Sequence, residues 1–180
     1  MKNEVKACAA SIVLCGLVAP AAAQERQTMP SFSYSEGVKR GDCKIAFRAT
    51  DGVTTVDFGL GITDSVFTVE VLRSNWDIGE DRDPDTSDLP LTLTFQNGQS
   101  TSSEFGGFKN GFYQGVWGNW HGKNSDPVQS QRGLERLMEA TSATVSFEGE
   151  TIAEVNLGPT GFAANKLVDC AIAERKKQQQ

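Results

Sequence analysis

Histidine is almost missing from this chain: His121 is the only one in 180 residues. A lone imidazole excludes histidine-built metal clusters. It also leaves a Ser-His-Asp arrangement without its other parts, because no G-x-S-x-G turn occurs. Phosphate-cradling loops are absent too, since "GFKNG" and "GLG" lack the lysine and the strand-to-helix setting. Positive charge is scarce: 17 Lys and Arg stand against 23 Asp and Glu, a net charge of −6. That balance supplies no basic footprint for nucleic acid or anionic lipid. The longest apolar run, Ala7 to Ala19, falls short of the roughly twenty residues of a membrane-spanning helix. No internal repeat and no interior linker breaks the chain, and its length suits one domain.

The beginning, "MKNEVKACAASIVLCGLVAPAAAQERQ", has a positive start at Lys2 and Lys6, a short apolar stretch and small residues ending in Ala21 and Ala23. These are the parts of a secretory signal peptide with cleavage following Ala23. The residues ahead of Cys8 and Cys15 do not suit a lipidated cysteine. Removing 1–23 takes away Lys2, Lys6 and Glu4, so the net charge moves from −6 to −7. The expected organisation is a signal peptide over 1–23, a loosely ordered lead-in over 24–41 and a single globular domain over 42–177. The mature protein is expected in the periplasm or outside the cell.

After cleavage two cysteines remain, Cys43 and Cys170, near the two ends of the domain. An oxidising compartment pairs an even number of thiols, which predicts a structural disulfide. A metal pair or a redox pair is the competing reading. Metal sites need clustered ligands and redox pairs a Cys-x-x-Cys, and neither is present.

Period-two patterning runs through most of the domain. "CKIAFRA" puts Ile45 and Phe47 on one face. "VTTVDFGLG" follows the turn pair Asp51-Gly52 and aligns Val56, Phe58 and Leu60. "SVFTVEVLR" aligns Phe67, Val69 and Val71, and "LPLTLTF" aligns Leu89, Leu91, Leu93 and Phe95. Asn97-Gly98 and Gly149 mark hairpins, the second joining Val145 and Phe147 to Ala153, Val155 and Leu157. One wet face is expected for each strand. Two segments carry helical spacing instead. In the first, Asp126 is a candidate cap, Pro127 the first helical residue, and Val128, Leu134, Leu137 and Met138 the apolar set. In the second, Thr160 is a candidate cap and Ala163, Leu167, Cys170 and Ala171 form a stripe. The fold class is α+β: a mostly antiparallel, curled sheet (sandwich or partial barrel) of six to eight strands with two helices in the C-terminal half.

"EFGGFKNGFYQGVWGNWHG", Glu104 to Gly122, holds six of the fifteen aromatic residues of the chain, too many for a disordered segment. One reading makes Gly106-Gly107 and Asn110-Gly111 turns and "FYQGVWG" a strand whose aromatics fill the core. The other exposes Tyr113, Trp117 and Trp120, with His121 beside them, as a surface that stacks on sugar rings. Alternation places Phe112 and Val116 on one face and Tyr113 and Trp117 on the other. His121 itself reads as a surface turn residue. Asp81, Asp83 and Asp85 alternate in a long acidic loop, but Thr86 and Thr92 stand where a calcium loop needs glycine and glutamate. No cofactor or metal is expected. Two carboxylates could serve a glycan hydrolase, yet the sequence singles out no pair. A ligand-holding β-barrel is a third possibility.

The segment "ATSATVSFEGETIAEVNLGPTGFAANKLVDC", Ala140 to Cys170, resembles small exported bacterial proteins of the invasion-associated locus B family, in which a strand pair leads into a helix. Asn156-Leu157, Gly161-Phe162, Ala164 and Leu167 carry the likeness. The resemblance implies a non-enzymatic periplasmic or envelope accessory protein and no catalytic residues. The function expected is therefore binding of an envelope protein or glycan through an aromatic-rich surface, with no nucleic acid and no membrane span.

Overall fold

The computed structural model describes residues 33–39, 41–74, 76, 89–110, 113–119 and 127–180. The alternating segments become β2 (Asp42–Arg48), β3 (Thr54–Gly61), β4 (Phe67–Ser74), β5 (Leu89–Phe95), β8 (Ser142–Phe147) and β9 (Glu150–Asn156). Each hairpin turn has a local cause. Asp51 Oδ1 accepts the amides of Val53 and Thr54, and Gly52 takes φ +72°. Gly98 takes φ +78° between β5 and β6, while Glu148 and Gly149 both have positive φ between β8 and β9.

Nine strands are present among the described residues, one beyond the expected range, and all pair antiparallel in the order β1-β2-β3-β4-β7-β6-β5-β8-β9. The added strand is β1 (Tyr34–Lys39), inside the stretch that reads as a loose lead-in. All six of its residues are exposed and show no apolar alternation; it is held by backbone pairing to β2, by Tyr34 against Phe162 of α2, and by the Glu36–Lys166 ion pair. β6 (Ser100–Asn110) is long enough to serve two leaves. Its first half pairs β5, and its second half pairs β7 (Tyr113–Asn119). Gly106 and Gly107 lie within this strand rather than at a turn.

The two leaves face each other across the core. Ile45, Phe47, Val56, Phe58, Val69 and Val71 from one meet Leu91, Leu93, Phe95, Val145 and Val155 from the other, all essentially inaccessible. Phe58 lies 6.2 Å from Phe47 and 6.1 Å from Phe67, ring centre to ring centre. The sheet curls until its far edge meets its near turns. The amide of Thr50 donates to Glu154 O, and Arg73 donates to Ile152 O. Ile152 is the residue skipped by the register shift between β8 and β9, so its carbonyl is free to accept the guanidinium. Among the described residues no ladder joins β1 to β9, so the sheet is curled and not a closed barrel.

Two helices close the open side. α2 (Phe162–Gln178) buries Ala163, Ala164, Leu167 and Ala171, close to the expected stripe. It is tied to β2 by the Cys43–Cys170 disulfide, with Cα atoms 5.9 Å apart. Its N-cap is not Thr160 but Gly161, in the left-handed region at φ +80° with no side-chain cap. α1 (Pro127–Glu139) begins at the proline as expected, yet its buried face is Ser130, Gly133 and Leu137. Val128 and Met138 remain exposed. Small residues bring α1 close to the start of β4, where Ser130 Oγ accepts the buried amide of Phe67. No helix among the described residues is long and apolar enough to cross a membrane.

Candidate functional site on the second face of the sheet

The strands β2, β3 and β4 are expected to be wet on the face opposite the core, but that face is largely buried. Asp57 is 3% exposed and Thr68 6%. Register explains part of the crowding. Lys44, Gly59 and Thr68 stand side by side in one row, and Ala46, Asp57 and Glu70 in the next. A Cβ at Gly59 would lie 2.3 Å from Thr68 Oγ1 and 3.8 Å from Lys44 Cγ. Glycine there leaves a trough along which the Lys44 stem crosses β3. Its ammonium thereby reaches Glu70 on β4 and forms an ion pair, with side chains 15% and 12% exposed.

Asp57 sits directly opposite Glu70, a placement that sets Cβ atoms about 5 Å apart. Its Oδ1 is buried with no hydrogen-bond partner among the described residues. Burial pushes the Asp57 carboxyl up to about 6. Glu70 adds to the rise, and Lys44 and Lys39 oppose it. A second acid at the rim behaves in the opposite way. Asp51 is raised by burial, but the Thr54 hydroxyl, the amides of Thr54 and Val53, and Arg73 together hold it below its ordinary range.

The residues expected at a binding surface divide. Tyr113 and Trp117 lie in β7, Tyr113 opposite Ser74 and Trp117 opposite Glu70. By register Trp117 continues the row Ala46–Asp57–Glu70 onto β7. By register Val116 falls in the row of Phe47, Val56 and Val71. Trp120, His121 and the acidic loop with Asp81, Asp83 and Asp85 lie outside the described residues, as does the segment read as a signal peptide. Among the described residues no group of three His, Cys, Asp or Glu could hold a metal ion.

The Lys44–Asp57–Glu70 cluster is what sequence reasoning missed. Its only signal was a pair of acids, in "TVDFG" and "TVEVL", at wet-face positions of adjoining strands. Their proximity depends on register. A separate groove of about 340 Å³ lies between the helices, with Leu134, Met138, Ala164 and Val168 as apolar walls and Glu135 and Glu139 at its edge. It opens to solvent and is not the internal cavity of a ligand-holding barrel. No protein-family model, curated protein or solved structure matches the chain.

Proposed function

We propose that this protein is an exported, non-catalytic accessory of the cell envelope that binds glycan through the face carrying β4 and β7. The observation behind it is the register of β7, with Trp117 in the row of Asp57 and Glu70 and Tyr113 two residue pairs along the same face. Aromatic residues beside carboxylates make up the chemistry that sugars select: rings stack on apolar sugar faces, and acids accept from hydroxyls. The disulfide supports export, since such bonds persist in oxidising compartments. The likeness to the invasion-associated locus B family points to the same envelope setting. Hydrolysis by the Asp57–Glu70 pair is the weaker reading. Glu70 is already engaged by Lys44, so the two acids do not stand as a free acid–base pair.

Calorimetric titration with purified peptidoglycan fragments tests the proposal. Wild-type protein is expected to bind, and Tyr113→Ala and Trp117→Ala to weaken binding at least tenfold with unchanged circular dichroism. Absence of binding to envelope glycans, or binding indifferent to both substitutions, overturns it.

A further inference from the structure

The unpartnered Asp57 Oδ1 is the most demanding polar atom among the described residues. It is buried, it accepts from no described donor, and it lies across from a second carboxylate. Lys44 does not discharge it, because its ammonium is paired with Glu70. Lys39 on β1 adds a positive charge from an exposed position. A buried acceptor without a donor and a buried charge without a counter-charge are both costly, and one group relieves both: an ammonium. A hydroxyl supplies the hydrogen bond but not the charge. An acetamido group supplies a donor while lacking the charge and adding bulk.

Resting on the glycan-binding reading above, we infer that Asp57, with Glu70 beside it, is a subsite for the primary ammonium of an amino sugar, so that the preferred glycan carries free rather than acetylated amines. Entry runs past the Lys44–Glu70 pair, the part of the cluster that solvent reaches. Lys44 turns aside on its flexible stem and the ligand ammonium takes its place between the two acids. The remaining Lys44 charge stays close enough to limit affinity, which keeps binding reversible. On β7, Trp117 is the register partner of Glu70.

The test is a calorimetric titration with two defined probes, a glucosamine tetramer and an N-acetylglucosamine tetramer, against wild type and Asp57→Asn. The wild type is expected to bind the free-amine probe at least tenfold more tightly, and Asp57→Asn to bind the two equally. An ammonium favours the ionised carboxylate, so binding near pH 6 also expels protons. The observed heat then varies with the ionisation heat of the buffer. This second measurement uses wild type alone and does not depend on the variant folding. Equal affinity for both probes, a preference that survives in Asp57→Asn, or a buffer-independent heat each overturns the ammonium subsite while leaving glycan binding in place. If neither probe nor any peptidoglycan fragment binds, the glycan reading itself falls, and the subsite with it.

Discussion

Asp57 is where a single side chain governs the behaviour of the fold. Its folded carboxyl titrates near 6 against an ordinary value of 3.8. The folded state therefore holds a proton that the unfolded state has already released between those values. The sign follows: stability falls as pH rises through that window and levels off above it. A shift of about two units corresponds to about 3 kcal/mol. Asp57→Asn is expected to stabilise the protein by about that amount at pH 7 and to change little below pH 4. Urea unfolding at both pH values measures it; an equal effect at both would mean that Asp57 is not held protonated. Asp51 acts in the opposite sense, because its lowered titration makes its contribution fade on acidification. The two acids differ in burial and in partners. Asp51 collects hydrogen bonds from its own turn, and Asp57 Oδ1 collects none from the described residues.

Among the elements, helix ends and strand faces show how far a local pattern reaches. Pro127 announces the start of α1 correctly, because its fixed φ and missing amide suit only that place. The buried side of α1 was not legible. Ser130 and Gly133 face inward for close approach and for the Phe67 amide, needs that belong to β4 and leave no trace in the helix sequence. Thr160 looks like a cap, yet Gly161 takes the role, since the chain must turn through φ +80° beside Met138, whose Sδ would be 3.3 Å from an added Cβ. Gly161→Ala is expected to cost about 1–2 kcal/mol from left-handed strain. Chemical denaturation checks it, and an unchanged midpoint would contradict the strain argument. The strands were read well wherever alternation met a core, as at Ile45/Phe47 and Leu91/Leu93. β1 escaped because nothing in it is buried. The Asp57–Glu70 contact escaped because cross-strand neighbours twelve or more residues apart are fixed by turn length and pairing, not by local composition.

For the molecule as a whole, the α+β class, the hairpins and the cystine were all written in local signals, and the curl that brings β9 back to Thr50 and Arg73 was not. The Cys43–Cys170 bond spans a sequence separation of 127, which on chain-entropy grounds is worth about 5 kcal/mol against the unfolded state. Replacing both cysteines by alanine is expected to cost about 2–5 kcal/mol. Thermal melts of oxidised wild type and of the double variant measure the difference. Identical melting temperatures would show that the crosslink constrains nothing the fold does not already hold.

That same bond decides how the molecule carries tension. Grip it at Tyr34 and Gln178 and pull: force runs along β1 and the beginning of β2, through the sulfurs and out along the last turns of α2. Everything between is a bypassed loop. The oxidised protein yields an extension of only about 60 Å, while the reduced one pays out about 500 Å of chain. Oxidation thus turns a domain that unravels under load into one in which only β1, the first residues of β2 and the last turns of α2 carry it.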